Sequence, residues 1–390
     1  VSLIGSFYIP RLLGPETYGI YQTVIAYVGM FTIFTFSGLN KVILRESSRN
    51  LDKMKEILES TVGLRHLFSL FAIILSAGIA LFIDYEKGTK LYILIFCLSL
   101  WFKALDNTFN VIYQAHEKMK YMAVLSFVKP LLIVPLSILF LHLGYGILTL
   151  ILINLIITGI ILIINYFISK KFVLFNIFSK VTYTKNYLKQ GFNFSLLGFL
   201  NVLSGKIDLV MLSFLTTPEK VGIYALAYRI VQKGLIIRKP ISQSLFPYYA
   251  KKFHKGQIKK SKMFQHTFFI AIPSIILAST LTMFSHKIIT TIVGNNYSES
   301  AYIFNILVFY LILNYIVIPF GLALQVTNNE KKLIWIGLIR AFLNITLNIV
   351  FFKLYGIIGI AYSTLLTFST WDMIIIIYSR NLLKKQKYLH

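Results

Sequence analysis

The sequence predicts an all-α polytopic membrane protein. About twelve transmembrane helices are expected, in two six-helix parallel repeats around a central cavity. Three observations carry this expectation. Of 390 residues, 57% are hydrophobic and only 14% charged, against about 25% charged in an ordinary globular domain. So little polar surface cannot cover so much apolar surface in water. The apolar residues also fall in runs of bilayer length. Finally, two short patterns recur at a near-constant offset.

Hydropathy places the spans at roughly 1–13, 18–43, 61–83, 91–115, 121–143, 146–168, 191–215, 221–248, 263–284, 300–325, 331–352 and 355–379. The first, opening at Val1, would make only about 20 Å of helix, too short to cross. It is expected to be a truncated first helix. Pro130 and Pro135 are expected to interrupt the fifth span, Pro240 and Pro247 the eighth, and Pro319 the tenth, because proline removes a backbone donor and bends a helix. The single cysteine, Cys97, excludes an internal disulfide and any multi-cysteine metal site. It lies in an apolar run and reads as inert packing.

The connections alternate in charge. Segments 45–60, 116–120, 169–190, 249–262, 326–332 and the tail from Arg380 carry 23 Lys and Arg; the intervening connections carry five. This asymmetry predicts a cell-membrane protein with both termini cytoplasmic, its basic loops facing anionic membrane lipids. The net charge of +25 would favour nucleic acid in a soluble chain; here no nucleic-acid partner is expected.

The long connection at 169–190 separates six spans from six. The expected organisation is an N-terminal lobe at 1–168, a cytoplasmic linker at 169–190, a C-terminal lobe at 191–380 and a basic tail at 381–390. Pro15-Glu16-Thr17-Tyr18-Gly19-Ile20-Tyr21 recurs as Pro218-Glu219-Lys220-Val221-Gly222-Ile223-Tyr224, an offset of 203. Tyr145-Gly146-Ile147 recurs as Tyr355-Gly356-Ile357, an offset of 210. Each pair sits at corresponding turns. An even number of spans per half makes the repeats parallel, and such halves rock about a shared cavity.

Eleven cations fall inside the spans. Lys103, Lys129, Lys206, Arg229, Lys233 and Arg340 are expected to line the cavity. Arg11, Lys41, Arg65, Arg238 and Lys239 lie nearer span ends, where snorkelling to headgroups competes with a cavity role. Only Asp106, Asp208 and Asp372 oppose them. A charge at the bilayer centre costs about 2.5–3.5 kcal/mol on the insertion scale, so a hydrated, net-positive cavity is expected. It would select an anion such as a phosphate or diphosphate. Asp106 shares a helix face with Lys103. Asp208 has no helix-local cation, which makes it the leading carboxylate for ion coupling. Asn107, Asn110 and Gln114, Asn193 and Asn201, and Asn344 and Asn348 recur at helical spacing and are candidates for sugar contact. Interhelical hydrogen bonding alone can explain an Asn stripe, whereas a stripe headed by a cation suits a water-filled path better. The chain contains no GxxxxGK[ST], HExxH, GxSxG or CxxC pattern, and its histidines read as solvated or interfacial. No cofactor, metal site or enzymatic activity is expected.

Arg11-Leu12-Leu13-Gly14-Pro15-Glu16-Thr17-Tyr18-Gly19-Ile20-Tyr21, with Gly38-Leu39 and Arg45-Glu46, resembles the start of the polysaccharide-biosynthesis flippases. These belong to the multidrug/oligosaccharidyl-lipid/polysaccharide exporter superfamily. Asp208-Leu209-Val210-Met211-Leu212, Pro218-Glu219 and Gly222-Ile223-Tyr224-Ala225-Leu226-Ala227 resemble its second-half signature. The resemblance implies two six-helix lobes around a V-shaped cavity. It implies flipping of a polyprenyl-(di)phosphate-linked oligosaccharide from the cytoplasmic to the outer leaflet, and alternating access is the expected mechanism. Coupling to a proton or sodium gradient and contact with glycan-assembly proteins are further expectations. A peptidoglycan-precursor flippase or a drug antiporter of the same fold is the alternative. A membrane glycosyltransferase or polymerase is the alternative from another class. The family motif assigns no individual binding residue.

Overall fold

The computed structural model describes residues 2–35, 38–179, 185–254, 260–325 and 330–386. Among the described residues every regular element is a helix. In order these are α1 (Ser2–Met30), a 3-10 turn (Phe31–Thr35), α2 (Leu39–Arg49), α3 (Met54–Phe82), α4 (Lys87–Phe96), α5 (Leu98–Ala115), α6 (Met119–His142) and α7 (Ile147–Ser169). Then come α8 (Lys185–Leu215), α9 (Pro218–Gly234), α10 (Arg238–His254), α11 (Lys260–Met283), α12 (Ser285–Ile292), α13 (Ser298–Ile316), α14 (Ile318–Gln325) and α15 (Glu330–Gln386).

Among the described residues seven helical stretches are long and apolar enough to cross a membrane, or eight if the bent α1–α2 pair is one span. One stretch, Trp335–Ser379, covers most of the eleventh hydropathy span and all of the twelfth. Arg229, Lys233, Arg238 and Lys239 make α9 and α10 poorer in apolar residues than an ordinary span.

The repeated motif is a helix start. Gly14 adopts φ 74°, which breaks α1 immediately before Pro15. Pro218 opens α9 after Thr217, with Glu219 in the first turn. Proline fits the first turn because its missing N–H would have no partner there, and an acid complements the helix dipole. Gly356, at φ 59°, likewise breaks α15. Positive φ is cheap for glycine alone.

The prolines divide into two kinds. Pro130 and Pro135 lie inside a continuous α6 and Pro247 inside a continuous α10, so these three do not interrupt their helices as expected. The eighth span does break, at the 3-10 turn Leu235–Ile237 ahead of Pro240. The tenth breaks at Val317, two residues before Pro319. A break between α4 and α5, at Cys97, has no proline or glycine to announce it. Cys97 is buried, its Sγ 3.3 Å from Ser76 Oγ.

The chain divides into two compact units, Val1–Ser213 and Phe214–His390. In the first, α3 packs on α5, α5 on α7, and α1 and α7 on α6. A core of Leu39, Met54, Leu58, Phe109 and Ile112 joins α2, α3 and α5. α8 belongs to this unit. Gly38 N–H donates to Ser195 Oγ at 3.0 Å, and Ser213 Oγ meets Tyr85 Oη at 2.6 Å. In the second unit α13 is central, packing on α9, α11 and α15. Buried residues make up 56% of its apolar stretch, against 11% for α6 and for α11. The outward faces of those two helices carry Phe127, Phe268, Phe269 and Ile276, all exposed. With hydrocarbon as the solvent, such faces incur no hydrophobic penalty.

Candidate functional site

Each unit gathers two cations around one carboxylate. In the first unit the cluster grows from the spacing on α5. Lys103, Asp106 and Asn110 lie three and four residues apart and so share one face. Lys103 Nζ is 3.9 Å from Asp106 Oδ2, with 56% of the lysine side chain exposed. Asn110 Nδ2 donates to the same oxygen at 3.2 Å. From α6, half-buried Lys129 interacts electrostatically with both Asp106 and Lys103.

The second cluster is assembled by tertiary packing. Asp372, in the second half of α15, is 5% exposed. It interacts electrostatically with Arg238 at the start of α10 and with Arg340 in the first half of α15. The Arg340 guanidinium lies 5.1 Å over the Phe368 ring and 4.6 Å over Trp371, both within cation–π range of about 6 Å. Tyr310, on α13, packs its ring 4.4 Å from Phe368 and feels all three charges. Asp372 Oδ2 is buried with no hydrogen-bond partner among the described residues. Arg229 and Lys233 add an interacting like-charge pair one turn apart on α9, an arrangement that disfavours an isolated helix.

An ion pair alone would leave such clusters neutral. Each instead holds one positive charge in excess. That surplus can donate charge-assisted hydrogen bonds to the oxygens of an anion.

The other sequence candidates are distributed as follows. Lys206 reaches across from α8 to α1, where Nζ donates to the Ile25 carbonyl at 3.0 Å. It lies so close over Gly29 that any Cβ there would be 2.2 Å from Nζ. Arg65 is fully buried. It donates to the Ala104 carbonyl at 3.1 Å and to Asn40 Oδ1 at 2.6 Å, tying α3 to α5 and α2. It does not snorkel. Arg11, Lys41 and Lys239 are exposed, as is Arg238. Asp208 is buried. Asn107 is half-buried, and Gln114 Nε2 meets Met122 Sδ at 3.7 Å. Asn344 and Asn348 are buried together, 3.4 Å apart, with Ser363 Oγ donating to the Asn344 carbonyl at 3.5 Å. The side chains of Asn193 and Asn201 lie outside the described residues.

Tyr310, Phe368 and Trp371 were not legible as site residues, because no periodicity links α13 to α15. Among the described residues no three His, Cys, Asp or Glu gather as a metal site. His66 is not solvated: its ring nitrogens lie 2.8 Å from Trp101 Nε1 and 2.8 Å from the Ile177 carbonyl.

The sequence profile of the polysaccharide biosynthesis protein family matches residues 1–253. The chain belongs to this family. One relative, the probable low-salt glycan biosynthesis flippase Agl15 of Haloferax volcanii, is 24% identical over 187 residues, or 46% of this chain. The chain spans 39% of that relative's length. Two solved structures share the fold of this polysaccharide biosynthesis protein. An inward-facing multidrug resistance MATE family transporter of the MOP superfamily superposes with a TM-score of 0.77 at 13% identity, over 99% of this chain and 94% of its own. Lipid II flippase MurJ, in an inward closed conformation, gives 0.75 at 18% identity, over 97% and 85%. The all-α exporter fold implied by the sequence motifs is therefore present across nearly the whole chain.

Proposed function

We propose that this polysaccharide biosynthesis protein is a flippase that moves a polyprenyl-(di)phosphate-linked oligosaccharide from the cytoplasmic to the outer leaflet. The carrying observation is the recurrence of two cations about one carboxylate in each unit. A phosphate or diphosphate head has the charge and the acceptor oxygens to satisfy that surplus. A cationic drug does not, which disfavours antiport of cations. The sugars would be met by polar side chains such as Asn107 and Asn110, and the lipid tail would stay in hydrocarbon. Rocking of two halves would supply alternating access. Coupling to a proton or sodium gradient would fall to Asp208, Asp106 or Asp372.

The test is binding of a short-chain polyprenyl diphosphate glycan to purified protein. Arg340→Gln should weaken it about tenfold, and Lys129→Gln less, because lysine makes no bidentate contact. Unchanged affinity in both variants, with the fold intact, rejects the anionic head as ligand. Tight binding of a cationic drug in place of the diphosphate would support antiport instead.

A further inference from the structure

The segment after α7 returns along the first unit. Phe172 packs edge-on against Tyr113 and Tyr121. Phe175 is buried beside Phe109. Asn176 N–H donates to Glu59 Oε1 at 3.0 Å. His66 fastens the far end. Trp101 Nε1–H donates to His66 Nδ1 at 2.8 Å. An indole only donates and a carbonyl only accepts, so His66 Nε2–H donates to the Ile177 carbonyl, also at 2.8 Å. Phe178 stacks on the imidazole at 5.6 Å.

Beneath this strap lies a cavity of about 470 Å³ between α5 and α7, walled mainly by Trp101, Phe102, Gly159, Leu162, Tyr166 and Phe178. That volume falls in the range of ligand sites, about 300–1,000 Å³. Its walls are almost wholly apolar. Ile163 and Phe178, both at its edge, are exposed. In a membrane-spanning chain that edge faces lipid rather than water. Lys170 and Lys171 lie exposed at the end of α7 beside it. Lys170 Nζ sits 4.3 Å over the ring of Tyr166, which lines the cavity. The strap from Lys170 to Ser179 contains no acid.

We propose that this cavity binds one acyl chain of an anionic membrane phospholipid, whose phosphate rests on Lys170 and Lys171. An apolar slot supplies the site for the chain, and two adjacent lysines select the charged headgroup. The site is built wholly within the first unit. It is separate from the Lys103, Asp106 and Lys129 cluster and does not depend on the substrate of the flippase.

The test is native mass spectrometry of the detergent-purified full chain with phosphatidylglycerol or phosphatidylcholine of matched chains. The expected result is retention of one phosphatidylglycerol, at least tenfold preferred. Gly159→Leu would fill the slot: its Cβ meets only the Phe102 ring, at 3.8 Å and 3.9 Å. It should abolish that retention without lowering thermal stability. If this variant fails to fold, Ile163→Trp blocks the edge instead. The double variant Lys170→Glu, Lys171→Glu should keep one lipid but lose the headgroup preference. Retention unaltered by the blocking variant overturns the cavity as the site. Equal retention of the two lipids by the wild type, or a preference that survives the double variant, overturns the headgroup assignment. Displacement of phosphatidylglycerol by equimolar polyprenyl phosphate would give the slot to a substrate tail and overturn the phospholipid.

Discussion

Arg340 shows how one residue can serve both packing and charge. Its guanidinium lies over the rings of Phe368 and Trp371 while its charge interacts electrostatically with Asp372. Lysine would keep the charge but lose the planar fork. Arg340→Lys is therefore expected to bind lipid diphosphate more tightly than Arg340→Gln and less tightly than wild type. Equilibrium binding checks the order; equal losses would mean that charge plays no part. Arg65 plays a different role. It is enclosed, and its two terminal nitrogens donate to Ala104 and Asn40. Arg65→Ala should destabilise the fold by about 2–4 kcal/mol through lost packing and orphaned acceptors, with binding per folded molecule unchanged. Thermal unfolding in detergent, paired with binding, checks both parts. Sequence could identify all these cations, because charges stand out in apolar runs. It could not rank them, because enclosure by Asn40 and Ala104 is a tertiary fact.

At the level of elements, helix ends were legible wherever backbone chemistry forces them. Pro15 and Pro218 start helices, and Gly14 and Gly356 permit breaks. The break at Cys97 was not legible, since no residue there demands it. Nor was the strap at 170–179. Its residues read as a cytoplasmic linker whose lysines face anionic headgroups, while Phe172 and Phe175 in fact pack on the first unit. The α5 cluster was partly legible because Lys103 and Asp106 are one turn apart. The Arg238–Arg340–Asp372 cluster was not, because its members lie far apart in sequence and come within electrostatic range only in the folded second unit. The α1–α8 contact gives an element-scale prediction. Gly29→Leu should push Lys206 off the Ile25 carbonyl, since even a Cβ would reach 2.2 Å from Nζ. Lys206→Ala should restore much of the lost stability. A double-mutant cycle measures this coupling; additive losses would show that the two residues act separately.

For the whole molecule, the fold is that of the MOP exporters, and composition and charge already pointed to a multi-span protein. Orientation rests on the excess of Lys and Arg in alternate connections. Cysteine at Ser298 should label from outside intact cells, and cysteine at Ser261 should not. The reverse pattern would invert the direction of transport proposed here. The central claim is translocation of a lipid-linked, phosphate-bearing glycan. Its most direct measurement is leaflet exchange in proteoliposomes. A fluorescent polyprenyl-diphosphate oligosaccharide is placed in both leaflets, and the fraction reached by an external hydrolase is followed. Wild-type protein should expose the inner pool at a rate that Arg340→Gln lowers at least tenfold. An inner pool that stays protected with folded wild-type protein, under proton and sodium gradients of either direction, would contradict the account.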